Sequence, residues 1–320
     1  MDRLTELFAL AQQWLFESLV QPLVFNLGGG NLLEDAYDAT GWLLVGLIQI
    51  AVMLLLIRQL ERWRPVEPVV DRQAVRVDML YTLLHRLGLV RLLLFFSTEP
   101  LWLELSGQMR LAGVPSFQLD TVWPGVSDGP WASFVLYLLA FDLANYWLHR
   151  AQHQFNWWWS LHALHHSQRQ MTLWSDNRNH LLDDVLRDAV FVLLARFIGV
   201  GPGQFVALVA FSQLMENLQH ANVRLWFGPV LERLVVSPRF HRRHHSIGVG
   251  HESKGRGSLG GCNFGVLFPF WDMLFGTADF ELRYDATGVR DQLPDEGGRD
   301  YGRGFWAQQW LGVKRLLGRA

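Results

Sequence analysis

Eight of the chain's twelve histidines fall in three tight clusters: His149 and His153, then His162, His165 and His166, then His241, His244 and His245. The clusters read H-x-x-x-H, H-x-x-H-H and H-x-x-H-H. On a helix, spacings of three and four place side chains on one face, so each cluster can aim several imidazoles at one point. Neutral imidazole is the commonest metal ligand and suits Fe, Zn, Cu and Ni. A catalytic zinc uses about three protein ligands and a structural one about four, so eight ligands point to two metal ions sharing the cluster. The single cysteine, Cys262, excludes an internal disulfide and a multi-thiolate site. Metal binding must run through histidines and carboxylates. His85, alone among Leu83, Leu84 and Leu87, reads as an ordinary structural residue.

The elements that position these residues belong to a membrane protein. Half of the 320 residues are hydrophobic and only 18% are charged, which is more apolar than a typical soluble domain. A pI near 6.6 without a basic run argues against nucleic acid as a partner. The N-terminus lacks the basic region, short apolar core and small-residue site of a cleaved signal, so insertion is expected to rely on internal helices. Residues 1–28 suit an interfacial amphipathic helix. Thr40 to Ile57 is a charge-free apolar run long enough to span. Further spans are expected from Met79 to Phe96, with Arg91 interior or snorkelling, and from Trp131 to Leu148. The loop with Arg58, Arg62, Arg64, Arg72 and Arg76 belongs in the cytoplasm, and the Arg-poor stretch 97–130 outside. The third span then delivers His149 to the cytoplasmic side. Val185 to Leu218, broken by Gly199-Val200-Gly201-Pro202-Gly203, reads as a partly re-entrant helical hairpin with arms of about fourteen to sixteen residues. It returns the chain to the side of His166, so the clusters converge. Trp157, Trp158 and Trp159 suit anchoring at the membrane interface. Trp306, Trp310, Val313 and Leu317 form the stripe of a second interfacial helix. Arg239, Arg242 and Arg243 suit anionic headgroups more than carboxylates.

The motifs D-x-x-x-Y-W-x-H-R-x-x-H (Asp142 to His153), H-x-L-H-H-S (His162 to Ser167), Q-H-A-N (Gln219 to Asn222), H-x-x-H-H-S (His241 to Ser246) and N-F-G with W-D-x-L-F-G-T (Asn263 to Thr277) occur in that order. Over about 131–277 the chain thereby resembles the fatty acid hydroxylase/sterol desaturase superfamily of membrane-bound di-iron oxygenases. The resemblance implies an all-α integral membrane helical bundle with a cytoplasmic histidine-rich di-metal cap. It implies three parts: N-terminal interfacial and transmembrane helices (1–130), a catalytic domain (131–277) and a soluble tail with an amphipathic helix (278–320). The implied metal ligands are His149, His153, His162, His165, His166, His220, His241, His244 and His245. His180 matches a tenth family histidine in location, although Leu181 stands where the family usually has Pro. His251 lies in a Gly-rich loop (Gly248 to Gly261) longer than the family's usual one and is left out. Asp142, on the helical face of His149, is a candidate to orient a ligand imidazole, and Asn217 and Asp183 are candidates to support ligands. Asn263 and Asp272 match family positions with structural or supporting roles.

The resemblance further implies two Fe(II) ions, O2 as co-substrate, and hydroxylation or desaturation of an unactivated lipid C–H bond. The lipid could be fatty acyl, sterol-like, carotenoid or an ether lipid. The chain carries no flavin, haem or iron-sulfur motif, so two electrons per turnover must come from a separate reductase or donor protein. A bacterial inner membrane, with the metal site on the cytoplasmic face, fits the Arg- and Trp-rich chain. Three rivals remain: a zinc-dependent membrane hydrolase, disfavoured by too many histidines and no H-E-x-x-H; a non-catalytic metal-binding or transport protein, whose ligands should lie near mid-bilayer; and a structural, catalytically dead relative, disfavoured because every motif histidine is present.

Overall fold

The structure, a computed structural model, describes residues 2–114, 117–247 and 260–320, with backbone alone for residue 2 and residues 91–100. Among them every regular element is helical. The α-helices are α1 (Asp2–Leu15), α2 (Gln21–Asn26), α3 (Leu33–Val52), α4 (Arg58–Trp63), α5 (Arg72–Arg86), α6 (Leu89–Leu111), α7 (Pro130–Gln154), α8 (Asn156–His166), α9 (Leu181–Ile198), α10 (Pro202–His220), α11 (Gly228–Leu231), α12 (Pro238–His244), α13 (Phe270–Leu274) and α14 (Phe305–Leu316). The Gly-rich loop with His251 lies mostly outside the described residues, as does the side chain of Arg91.

The chain divides into two compact units, residues 1–52 with 83–113, and residues 53–82 with 114–320. In the first, α1 runs through a π-helical turn at Phe16–Val20 into α2. Leu4, Leu7, Leu10 and Trp14 face outward, the apolar stripe expected of an interfacial helix. Gln12 ties α1 to the Tyr37 carbonyl of α3 at 2.9 Å. At Gly46, α3 meets the chain so closely that a Cβ would lie 1.6 Å from the Arg86 carbonyl oxygen.

Two helical stretches among the described residues are long and apolar enough to cross a membrane, Gly30–Trp63 and Pro130–Gln154. They contain the first and third expected spans. The second, Met79 to Phe96, is not one helix: α5 stops at Arg86, Gly88 adopts a left-handed φ of +79°, and α6 starts at Leu89. Its apolar composition concealed a break that only the backbone freedom of Gly88 reveals.

The second unit carries every clustered histidine. Pro130, with no N–H to leave unsatisfied, opens α7. Tyr137, Leu138 and Phe141 on α7 pack with Ile198, Leu208, Val266 and Leu267 into the largest buried core. The hairpin forms as α9 and α10, of 18 and 19 residues. The arms exceed the expected lengths because Leu181 to Asp184 at the start of α9, and Pro202, Gln219 and His220 at the ends of α10, are helical too. Gly199 caps α9 at φ +76°, where a Cβ would meet the Phe117 carbonyl oxygen at 2.3 Å. Beyond α13 the chain is largely irregular until α14, which turns Trp306, Trp310 and Leu317 outward and buries Gln308, Gln309 and Gly312.

Candidate metal centre

Four helices bring nine histidines together. α7 presents His149 and His153 one turn apart, α8 ends in His162, His165 and His166, and α10 ends at His220. α12, opened by Pro238 and capped by Ser237 Oγ accepting from Phe240 N, contributes His241 and His244, with His245 just after it. None of the nine is more than 8% exposed.

They sort into two groups of four, His149, His153, His162 and His166, and His165, His220, His241 and His245. Within each group, candidate ligand atoms all lie within 4.8 Å of one another, and His244 joins His166 and His245 between the groups. The Nε2 atoms point inward. His153 and His166 are 3.1 Å apart at Nε2, and His166 and His244 3.2 Å. In the second group His220 Nε2 lies 3.2 Å from that of His165 and 3.1 Å from that of His241, which is 3.1 Å from that of His245.

The rings are fixed from behind. His149 Nδ1 donates to the Phe264 carbonyl at 2.9 Å, His244 Nδ1 to that of Cys262 at 2.7 Å, and His220 Nδ1 to that of Glu216 at 2.8 Å. A carbonyl oxygen only accepts, so these Nδ1 atoms carry the proton and a neutral ring keeps its lone pair on Nε2. His162 Nδ1 meets the Asp183 carboxylate at 3.2 Å. Burial, followed by the neighbouring imidazoles, pushes the pKa values of His165, His241 and His245 well below the ordinary histidine value. Those rings are neutral, the state that ligates.

These residues fit a metal. His149 Nε2 and His162 Nε2 are fully buried without a hydrogen-bond partner among the described residues. An unsatisfied buried polar atom costs about 1–3 kcal/mol, a cost that a cation at the convergence of the lone pairs removes. Ligands about 2.0–2.1 Å from a metal, in tetrahedral or octahedral arrangement, stand roughly 2.9–3.4 Å from each other, and the Nε2 separations fall in that range.

His180 is not brought to either group. It caps α9, its Nδ1 accepting from Leu182 N at 3.1 Å, while Nε2 meets the Gln309 carbonyl at 2.8 Å. Both ring nitrogens are thus engaged elsewhere. Asp142 likewise binds no ligand imidazole. It accepts from Leu267 N at 2.8 Å, Phe268 N at 3.1 Å and Trp271 Nε1 at 3.0 Å, because the loop from Asn263 to Phe268 comes between it and the cluster. Asp183 accepts from His162, from Gln152 at 2.8 Å and from Trp158 at 2.6 Å. Burial raises its pKa, but the hydrogen bond and charge of His162, with Arg187 and Gln152, outweigh burial and hold it below the ordinary carboxylate value. Asn217 donates to the Leu173 carbonyl and to Asp176, both at 3.2 Å, and Asp176 lies 3.6 Å from His220 Nδ1.

Asp272 accepts from Phe264 N at 2.8 Å, Gly265 N at 2.7 Å and Thr277 Oγ1 at 2.6 Å. Asn263, at a left-handed φ of 58°, donates to the carbonyls of Phe240 and Asp279 and accepts from Asp279 N. Both therefore shape the loop whose carbonyls hold His149 and His244. Sequence reasoning missed those carbonyls, and also Asp176 and Gln152. A backbone oxygen has no residue type to betray it, whereas the run S-D-N at Ser175 to Asn177 was a usable polar signal.

The arginines among the histidines meet carboxylates rather than headgroups. Arg239 is a buried fork on Glu232, at 2.9 and 2.5 Å. Arg242 reaches Glu67 at 2.8 Å, and Arg243 reaches Asp279, Asp285 and Glu281. The stretch 279–285 supplies the carboxylates that meet Arg243 and the Glu281 and Asp285 carbonyls that accept from Arg239 and Arg242. Of the tryptophan triplet only Trp157 is exposed; Trp158 is tied to Asp183, and Trp159 packs on His153 and His166 at centroid distances of 4.9 and 5.3 Å.

A model of the fatty acid hydroxylase family matches residues 134–277. Among curated relatives, an ornithine lipid hydroxylase from Rhizobium tropici is 27% identical over 66% of this chain and 60% of its own length. An alkylglycerol monooxygenase from Caenorhabditis elegans is 28% identical over 53% of this chain and 31% of its own length. A Delta(7)-sterol 5(6)-desaturase from Gibberella zeae is 25% identical over 45% of this chain and 41% of its own length. The chain thus spans between about a third and three fifths of these relatives. No solved structure matches it.

Proposed function

Because the chain belongs to the fatty acid hydroxylase/sterol desaturase superfamily, we propose that it is a membrane-bound di-iron oxygenase acting on an unactivated C–H bond of a lipid. The observation that carries this reading is the pair of buried four-histidine groups whose candidate ligand atoms converge. His149, His153, His162 and His166 would hold one iron, His165, His220, His241 and His245 the other, with His244 between them. Bound there, iron supplies the oxygen activation and one-electron chemistry that no side chain here provides. Hydroxylation balances as R–H, O2, two electrons and two protons giving R–OH and water. Desaturation uses the same inputs and yields an alkene and two waters.

The protein's own part is positioning and exclusion. Rings locked through Nδ1 cannot swing away, and their burial keeps bulk water from the reacting atoms. Outward-facing Val190, Leu193 and Phe197 on α9 and Phe211 on α10 suit contact with acyl chains, so the hairpin would dip into the bilayer beside α7. A lipid chain entering there would lie along the helices that carry the ligands. We assign the histidine cap to the cytoplasmic face of a bacterial inner membrane on the arginine-rich loop after the first span, where a separate protein donor would deliver two electrons per turnover. The relatives' names span an ornithine lipid, an alkylglycerol and a sterol, and the shared feature is a lipid with a long apolar part.

The test is lipid profiling of cells with and without the gene under 18O2. The reading expects an oxygen-labelled or desaturated lipid that disappears in His165→Ala. Identical lipid profiles in the presence of a competent reductase contradict it.

A further inference from the structure

The support of His162 extends beyond the segment matched by the family. His162 stands on α8 and Asp183 on the first turn of α9, so their 3.2 Å hydrogen bond exists only while the two helices keep their spacing. α14, outside residues 134–277, touches both. Toward α8, Leu311 packs into the cluster of Trp159 and Ala163. Toward α9, the Gln309 carbonyl meets His180 Nε2, and the Gln309 side chain accepts from Leu181 N at 2.9 Å. The same amide donates to the Asn179 carbonyl at 2.9 Å and to Tyr81 at 3.0 Å. Gly312 lies flat against the imidazole, where a Cβ would stand 2.4 Å from His180 Cδ2 and 2.8 Å from Nε2. No side chain fits between them.

We infer that α14 is a brace that sets the His162–Asp183 hydrogen bond and thereby the metal affinity of the His149, His153, His162 and His166 group. Gln309, Gly312 and His180 are its positioning residues. This gives His180 a task that needs no metal contact, and it rests on the reading that this group binds metal. The other group takes its hold from Asp176 and the Glu216 carbonyl, so the brace acts on one site and not on both.

The test loads full-length, detergent-solubilised protein anaerobically with Fe(II) and titrates it with a chelator, reading iron per chain. Wild type is expected to hold two irons. Gly312→Ala should release one of them at about 10–100-fold lower chelator concentration, the usual effect of losing a ligand's support, with the second unchanged. Gln309→Ala, which adds no bulk, should act in the same direction. Asp183→Asn should weaken the same iron, and the double variant Gly312→Ala/Asp183→Asn should be no worse than Asp183→Asn alone, since both act through one bond. After air oxidation, the remaining iron should give a mononuclear high-spin ferric resonance absent from the coupled wild-type pair. Wild-type iron curves in both brace variants, equal weakening of both irons, or additive losses in the double variant would each overturn the brace. Wild-type protein that binds no iron contradicts the metal reading itself, and the brace with it.

Discussion

The Nδ1 atom of His149 lies 2.9 Å from the carbonyl oxygen of Phe264, 115 residues further along the chain. That oxygen stays in place because Asp272 accepts from the Phe264 and Gly265 amides, and Asp142 accepts from those of Leu267 and Phe268. Two carboxylates therefore act on the histidine cluster through a loop. Asp272→Ala leaves two buried donors unsatisfied, at about 1–3 kcal/mol each, and frees the carbonyl behind His149. The expected outcome is a lower unfolding midpoint together with roughly 10–100-fold weaker metal binding. Denaturation in detergent and a chelator titration check the two effects, and a variant with wild-type values for both contradicts the account.

The pH dependence follows from burial. His165, His241 and His245 titrate well below an ordinary histidine because they are buried and then because they face one another. Above the unfolded value of about 6.5 both states are neutral and pH has no effect through these groups. Below it the unfolded chain takes up protons that the folded chain refuses, so stability falls as pH drops from about 6.5 toward the folded values. Metal retention falls in the same direction, since protonated imidazole is no ligand. Melting temperature and bound metal followed from about pH 8 to pH 5 should both decline on the acid side. A flat stability profile down to pH 5 would show that the rings are not buried as neutral groups.

Two arginines on one short helix should behave differently. Arg239 and Glu232 are 0% and 3% exposed, so Arg239→Ala abandons a buried carboxylate and should cost about 3–5 kcal/mol. Arg243 is 14% exposed and faces carboxylates that are 19–52% exposed, where solvent limits the cost of Arg243→Ala to about 1 kcal/mol. Equal destabilisation by the two substitutions would contradict this placement of the charges.

At the tip of the hairpin, Gly199→Ala meets two obstacles, a left-handed φ of +76° and the Phe117 carbonyl 2.3 Å from the new Cβ. Such strain costs of order 1–3 kcal/mol. The tip is far in sequence from the ligands, so a lower melting temperature with both metal equivalents retained is the expected result. Loss of metal at unchanged stability would mean that the hairpin turn has been misread.

Eight of the nine grouped histidines could be read from the sequence because helical spacing and side-chain chemistry announce them together, and His220 came through the Q-H-A-N motif of the family resemblance. Their division could not. His162 and His165 share one motif and one helical face, their ring centroids 5.3 Å apart, yet fall in different groups because α7 brings His149 and His153 to one while α10 and α12 bring His220, His241 and His245 to the other. The carbonyls of Cys262, Phe264 and Glu216 leave no trace in residue identity. The expected span from Met79 to Phe96 failed because composition averages over Gly88, whose left-handed backbone ends one helix and begins another. The arginines beside the histidines suggested headgroups only while residues 279–285 were unplaced. Glu232, Glu67 and the carboxylates of that acidic stretch now account for Arg239, Arg242 and Arg243.

The most direct test of the central claim is iron stoichiometry of the full-length protein, purified in detergent from iron-sufficient cells without chelators. The account predicts about two irons per chain, with His165→Ala and His244→Ala each reducing that number while the helical signal persists. A single zinc, or no iron even after anaerobic Fe(II) loading, would contradict it.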